Sequence, residues 1–365
     1  MRLHFYVARK FLWTLGGLFT VLFILQMLID LIEQVRRLDN TEASFTDTLG
    51  MTLLNVPSGV YQLLPLMAIL SAVALFIGLA RSSELVAVRA VGRSGIKVLI
   101  APAIVALLIG GVSVSMFNPI VAATSKRYHE LLQRYRTGGE AVFSISAEGL
   151  WLRQGGPEGQ TVIRATAANQ DASELYDVTF VSYAPGNGPT KRIEAREATL
   201  KDGHWTLSGA KVWPLSGTVN PEAGATTHAQ LDLPSTLTSE RIRETFGQPN
   251  AISVWDMPRF IRQLEQAGFS ARRQLVWLQV ELARPLFLIA MVLIGAAFTM
   301  RHARQGGTGT AVLLSLLLGF GLYFIRNFAQ ILGENGQLPV ILAAWAPPVA
   351  ALLLGVGLLL HTEDG

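Results

Sequence analysis

No cysteine occurs among the 365 residues. Disulfides, thiolate nucleophiles and cysteine-held metals are therefore excluded, and thiol usage says nothing about redox compartment. Charge is scarce as well. Asp, Glu, Lys and Arg make up 15% of the chain, where soluble domains carry about 25%. The G-x-x-x-x-G-K-[ST] pattern is missing, so the chain does not cradle nucleotide phosphates through a P-loop. The G-x-S-x-G nucleophile elbow is missing too. His129-Glu130 opens like a zinc-protease motif, but position 133 is Gln, so the second histidine ligand is lacking. The histidines are scattered without ligand spacing, and Asp171, Glu174 and Asp177 fall in turn-like stretches where they serve solvation. No catalytic constellation, metal site or cofactor site emerges, and the chain is not expected to be an enzyme.

What is abundant is apolar sequence. Half of the residues are hydrophobic and the mean hydropathy is +0.39, the bulk chemistry of a membrane protein. The net charge of +4 is modest. Basic residues sit at the ends of apolar runs and not in one block, which excludes a nucleic-acid partner and suits orientation signals.

A hydrocarbon core of about 30 Å needs about 20 helical residues. Runs near 11–32, 56–80, 98–117, 274–300, 310–332 and 339–360 meet that length. The first is too long for a signal-peptide core and has no small-residue cleavage site after it, so it is expected to be retained. Residues 33–55 are expected as an outer loop, with Pro57 in the first turn of the second span and Pro65 kinking it. Asn118-Pro119 is expected to end the third span, with a helix following over 125–135. Arg301, His302 and Arg304 follow the fourth run, and Gln305-Gly-Gly-Thr-Gly309 reads as a tight cytoplasmic turn. Arg and Lys at the first end, in 81–97 and in 301–304 place both termini and these loops in the cytoplasm.

Between the third and fourth spans the pattern changes. Alternation typical of strands appears at 141–146, 150–153, 161–165, 178–183, 192–200, 205–213 and 228–233, punctuated by Gly and Pro. Many short strands with turn signals predict a sandwich or jelly roll. Ser253-Val-Trp-Asp256 resembles a capping box, and Phe260, Ile261 and Leu264 form a helical stripe that Gly268 can stop. The fold expected is an α-helical polytopic membrane protein, with six transmembrane helices in a three-plus-three arrangement and an inserted periplasmic β-jellyroll domain. Its parts are 1–135 with a short cytoplasmic helix at 82–94, the β domain at 136–250, and 251–365 with a linker helix and the last three spans.

Two groups of polar residues draw notice. Asp30, Glu281, Arg284 and Arg326 lie in or near apolar spans, where charge is costly and usually faces a bundle interior, a cavity or the interface. Glu281 and Arg284, three apart, can pair with each other. Arg326 has no local acid, and either snorkels to the interface or faces a polar path. Arg36 and Arg37 either bind anionic head groups or sit in the interface. The second group is the stretch 81–97, basic and amphipathic between two spans. As a helix it puts Leu85 and Val88 on one face, with Glu84 and Arg89 projecting away. It is either a docking helix for a cytoplasmic partner or an ordinary basic loop that sets topology. The mostly greasy spans do not suit midplane substrate binding through broken helices. They suit an amphiphile.

The whole length of the chain resembles the LptF/LptG (YjgP/YjgQ-type) permeases of the lipopolysaccharide exporter. The most specific segment runs from Leu64-Pro-Leu-Met-Ala through Ser83-Glu-Leu-Val-Ala-Val-Arg-Ala-Val-Gly92, and is similar to the family's second span and coupling helix. Glu148-Gly-Leu-Trp151 resembles an early jellyroll strand, and Ala283-Arg-Pro-Leu286 matches at the fourth span. Trp345-Ala-Pro-Pro and the tail from His361 resemble the LptG branch more than the LptF branch.

The resemblance implies a bacterial inner-membrane permease that works as a heterodimer with an LptF-like chain on two copies of a cytosolic ATPase, LptB. It implies that lipopolysaccharide enters between the first span of one permease and the fifth of the other, then passes through the jellyroll towards an LptC/LptA bridge. ATP hydrolysis then belongs to the partner. Ser83, Glu84, Leu85, Val88, Arg89 and Gly92 become the ATPase-coupling residues, with Glu84 at the glutamate that meets the ATPase groove. Arg36 and Arg37 fall where some members contact lipid phosphates. Asp30 lies where some members have lysine, so that contact is not carried over, and Asp30 and Arg326 stand as substrate-contact candidates by their place in the spans. Two rival classes stay open: a permease for another envelope lipid or lipoprotein, and a non-transport scaffold whose β domain binds a ligand.

Overall fold

The computed structural model describes residues 2–38, 44–90, 95–137, 143–146, 149–156, 159–169, 173–184, 188–201, 203–216, 220–235, 237, 249–266, 269–300 and 308–364. The chain divides into two compact units. One comprises Met1–His129, Asn250–Trp255 and Arg272–Gly365, and the other Glu130–Pro249 and Asp256–Ala271.

The first unit is a helical bundle. Six of its helices are long and apolar enough to cross a membrane. Helix α1 (Arg2–Leu38) and α2 (Phe45–Arg81) are followed by the short α3 (Glu84–Ala90), and then by α4 (Gly95–Val112). A π-helical turn at Ser113–Phe117 joins α4 to α5 (Asn118–Thr137). After the β domain and the short α6 (Met257–Gln266) come α7 (Arg272–Thr299), α8 (Thr308–Glu334) and α9 (Val340–Asp364).

Two boundaries differ from the sequence reading. The expected outer loop at 33–55 is mostly helix. Hydropathy marks only the part of a helix that fits lipid, whereas backbone hydrogen bonding continues while side chains support it. Glu33 accepts from Arg37 Nε at 2.9 Å, one turn on. Ser44 then restarts the chain with a reciprocal capping box. Its Oγ accepts from Asp47 N at 3.3 Å, and Asp47 Oδ2 accepts from Ser44 N at 3.0 Å. Pro57 is consequently interior to α2 and not in its first turn. The second difference is Asn118-Pro119, which does not end the third span. The π turn supplies a wider hydrogen-bonded loop, Asn118 N–H to Ser113 O, and the helix continues past the proline. The turn at 301–307 and Gly268 lie outside the described residues.

Helix α7 is the hub of the bundle. It packs against α2, α4, α8 and α9, and 72% of its apolar window is buried, against 6% for α1. Phe287, Ala290, Met291 and Ile294 of α7 meet Met67, Ala72 and Phe76 of α2 in the common core. Small residues bring the backbones close, as membrane helices require where lipid supplies no hydrophobic drive. A Cβ on Gly110 would lie 2.5 Å from Pro285 Cα, and one on Gly295 would lie 2.9 Å from the carbonyl oxygen of Ile69.

The second unit carries the inserted β domain. Its strands are β1 (Phe143–Ser146), β2 (Gly149–Gly156), β3 (Gly159–Ala168), β4 (Glu174–Tyr183), β5 (Pro189–Lys201), β6 (His204–Pro214) and β7 (Thr226–Pro234). All pair antiparallel in sequence order as a seven-stranded sheet. The seven strand-like stretches of the sequence each lie within or across one of these strands. Each described strand pairs with the next, so the inserted β domain has the connectivity of a meander. One face is apolar, with Leu152, Ile163, Phe180, Ile193, Trp205 and Leu207 buried. The Phe180 and Trp205 rings meet edge to face with centroids 6.1 Å apart. The sheet curls until β2 reaches the end of β7. Ser235 Oγ donates to Gln154 Oε1 at 2.9 Å, and Gln154 Nε2 donates to Pro234 O at 3.3 Å. The curl leaves a cavity of about 400 Å³ whose wall includes Gln154, Phe180, Tyr183, Lys191 and Leu233.

The linker helix α6 buries Met257, Ile261 and Leu264. The expected capping box is not formed as such. Ser253 Oγ accepts from Trp255 N at 3.2 Å, and Asp256 takes the cap position through its carbonyl, which accepts from Arg259 N and Phe260 N.

The tight α4–α7 approach yields a test. Gly110→Leu drives a side chain into Pro285 and should lower the stability of the solubilised protein by about 1–3 kcal/mol or more. Gly111→Ala, where a Cβ meets nothing within 4 Å, should leave the thermal midpoint unchanged. Equal midpoints for the two variants would contradict this packing.

Candidate functional site

The first candidate region is the turn between α2 and α3. Ser82 N closes α2 by donating to Gly78 O at 3.0 Å, and Ser83 reverses the chain with φ 58°. That left-handed conformation is uncommon for a residue with a Cβ. Ser83 is exposed, and its carbonyl accepts from Ala87 N at 3.1 Å, opening α3. Leu85 is buried in the bundle core and Val88 packs against it. The residues expected on one apolar face therefore seat α3 on the helices. The side chain of Arg89 and all of Gly92 lie outside the described residues.

Glu84, expected to project away from that apolar face, is engaged by two side chains. Its Oε1 accepts from Ser82 Oγ at 2.8 Å and from Lys10 Nζ of α1 at 3.1 Å. The two side chains of the ion pair are each about one-third exposed. Partial burial pushes the Glu84 carboxyl up, but the hydrogen bonds from Ser82 and Lys10 outweigh it and hold the group below the ordinary carboxylate value. Glu84 is thus an anion at neutral pH, anchored by Ser82 and Lys10.

The second region is a charge cluster inside the bundle. Arg284 and Glu281, one turn apart on α7, pair through two hydrogen bonds, Nε–Oε2 at 3.1 Å and Nη2–Oε1 at 2.5 Å. Tyr61 of α2 completes the arrangement. Its hydroxyl donates to Glu281 Oε2 at 2.5 Å, its carbonyl accepts from Arg284 Nη1 at 3.1 Å, and its ring lies 4.0 Å from the guanidinium carbon. The pairing read from spacing is therefore present. Arg326 of α8 is also turned inwards, 6% exposed, with its guanidinium 5.5 Å from the centre of the Phe287 ring. It interacts electrostatically with Arg284 and Glu281. Its nearest hydrogen-bond partner is Asn327 Oδ1 at 3.4 Å. Two guanidiniums against one carboxylate leave one excess positive charge in an apolar bundle.

The third region lies where α1 ends and α2 begins. Asp30 is 6% exposed, and Asn55 Nδ2 donates to its Oδ1 at 2.6 Å. Gln34 Nε2 donates to the Tyr128 hydroxyl at 2.8 Å, and Arg37 Nη1 reaches the same hydroxyl at 3.4 Å. These bonds tie α1 to α2 and α5. Arg36 and Arg37 remain exposed. The four substrate-contact candidates do not converge on one point: Asp30 and Arg37 belong to the network at this end of α1, Arg326 is buried in the α7 cluster, and Arg36 is exposed. Among the described residues no group of three or more His, Asp or Glu is placed to hold a metal ion.

Lys10, Tyr61, Asn55, Gln34 and Tyr128 were not singled out by sequence. Each is a polar residue inside or beside an apolar run, and its partner lies on another helix. Nothing in local spacing reports such a pairing.

Comparison with known proteins places these features. Residues 5–361 match the family model described as lipopolysaccharide export system permease LptF/LptG. The chain is similar to the lipopolysaccharide export system permease protein LptG of Haemophilus influenzae, with 22% identity over 98% of each chain. It is similar to the protein of the same name from Escherichia coli K12, with 23% identity over 93% of each chain.

The buried cluster predicts an asymmetric response to substitution. Glu281→Gln leaves two buried guanidiniums with no counter-charge and should destabilise the bundle by about 3–5 kcal/mol. Replacing the pair together, Glu281→Met with Arg284→Leu, should cost less than that single change. Thermal unfolding of the purified variants decides, and a double variant weaker than Glu281→Gln would contradict the pairing.

Proposed function

Because the chain belongs to the LptF/LptG family of lipopolysaccharide export permeases, we propose that it is the LptG-like half of a permease pair. In this reading it extracts lipopolysaccharide from the inner membrane and passes it to a periplasmic bridge. Its partners are an LptF-like permease, a cytosolic LptB-like ATPase dimer and an LptC/LptA-like bridge. The termini and α3 face the cytoplasm, and the β domain, spanning residues 136–250, faces the periplasm. Charge distribution supports that orientation, because the stretch 81–97 and the segment 301–304 are basic. The similarity to two LptG proteins over nearly their whole length supports the LptG-like assignment.

The observation that carries the mechanism is α3 itself. It is a short helix seated on the bundle core by Leu85 and Val88, and it begins with a part-exposed carboxylate whose Oε1 accepts from Ser82 and Lys10. A carboxylate offers acceptor sites on both oxygens, so Glu84 can take a charge-assisted bond from an ATPase groove while keeping its internal contacts. Closure of the ATPase dimer on ATP would then push α3, and α3 would move α2 and α4. This chain hydrolyses nothing. It contributes different contacts in two states, and the ATPase biases which state is populated.

The lipid is expected to enter beside α1 and to be met by Arg36, Arg37 and, inside the bundle, Arg326. Asp30 is assigned to this region by position, where it holds the helices through Asn55. The curled sheet and its cavity offer the amphiphile a partly apolar surface on leaving the helices.

Two measurements test this reading. Glu84→Ala should weaken ATPase co-purification or reduce lipid export per ATP. Wild-type association together with wild-type export would remove Glu84 from the interface. A photo-crosslinker placed within residues 29–37 should capture lipopolysaccharide in the assembled complex. Capture of a different envelope lipid instead would move the chain to another substrate, and an intact exporting complex that never crosslinks there would exclude entry beside α1.

A further inference from the structure

Helix α1 packs against α2 and α4 but is fully buried at few positions. Among its described residues only Val7, Phe11, Asp30, Gln34 and Leu38 are buried, and its apolar surface between Phe11 and Asp30 is half-buried or exposed. Leu15, Leu18, Phe19, Leu22, Phe23 and Met27 pack against the core while only part-buried, and the fully buried contacts of α1 lie at two places. One is the network of Asp30 with Asn55 and Gln34 with Tyr128. The other is the end that carries Val7, Phe11 and Lys10.

Lys10 is the polar part of the second attachment, and it is preset. The Tyr6 hydroxyl, one turn back, accepts from Nζ at 3.3 Å, and the ammonium lies 5.5 Å from the centre of the Tyr6 ring. The same ammonium donates to Glu84 Oε1 at 3.1 Å. Glu84 in turn is fixed by Ser82 on the left-handed turn that Ser83 forms. The connection between α3 and α1 therefore runs through side chains rigid at both ends, and it bypasses α2 and α4. Being one-third exposed, the ion pair is weak. It does not hold the bundle together, but it biases where α1 rests.

We infer that Lys10 is a positioning residue that couples the carboxylate of α3 to α1, so that displacement of α3 pulls α1 directly. The inference rests on the reading of α3 as the docking helix, and it adds a second route from the docked partner to the helix beside which lipid enters.

The test uses the assembled complex in proteoliposomes and reads lipid released per ATP hydrolysed, alongside ATPase association. Lys10→Met should keep association and hydrolysis while lowering lipid per ATP by about two- to tenfold, the range expected for coupled neighbours. Lys10→Arg, which retains the charge and the reach, should stay near the wild-type ratio. In a Glu84→Gln background Lys10→Met should add little, because both changes cut one connection. An unchanged ratio in Lys10→Met, or the same proportional loss in both backgrounds, would overturn the inference. Should Lys10→Met assemble poorly, Lys10→Gln with the Lys10→Arg control gives the same comparison. Failure of the docking reading shows separately, as unchanged ATPase association in Glu84→Gln alone.

Discussion

The buried contact of Arg284 with Glu281 and Tyr61 is the constraint on which the bundle depends. An ionised arginine inside an apolar helix bundle is tolerable only when its hydrogen bonds are met. Here they are met by a carboxylate one turn away and by the backbone carbonyl of α2. That geometry fixes both the height and the rotation of α7 against α2. The close approaches of Gly110 to Pro285 and of Gly295 to Ile69 then extend the same register along α7. Helices α1 and α8, which bury far less of their apolar windows than α7, are arranged around this fixed pair. Under the proposed function, a lipid path beside α1 uses these less-buried helices, which can shift without disturbing the charge cluster.

The architecture was largely legible because the chemistry that produces it is local. Six runs reach the length of a membrane crossing, and seven alternating stretches became seven strands. The errors also have local causes. Hydropathy reports contact with lipid and not hydrogen bonding, so it missed the polar turns of α1 beyond Ile32 and the start of α2 at Phe45. Proline rules treat Asn118-Pro119 as a stop, whereas a π turn absorbed it. Alternation finds strands but not their order, so a meander could not be told from a crossed jelly roll.

The candidate sites were legible only in part. Glu281 and Arg284 could be paired because they share a helix face. Leu85 and Val88 could be assigned to the seated face of α3 for the same reason. Lys10 and Glu84 are 74 positions apart, and Tyr61 and Glu281 are 220 apart, so their meeting is a product of packing. The same holds for Asp30. As an acid in an apolar run it stood out as a possible substrate contact, but its environment is decided by Asn55 across the helix pair. Arg326 was ambiguous between interface and interior, and its place over Phe287 comes from the rotation of α8.

In the proposed mechanism the chain is a transmission between a cytosolic motor and a lipid, with α3 as its input. The most direct test is reconstitution of this chain with its paired permease and ATPase in vesicles containing lipopolysaccharide, with a periplasmic acceptor outside. Transfer of lipopolysaccharide to the acceptor is then followed with and without ATP. The account predicts transfer that requires ATP, the ATPase and this chain together. Equal transfer when this chain is omitted, or none from the full assembly while ATP is hydrolysed and a different envelope lipid is released, would contradict it.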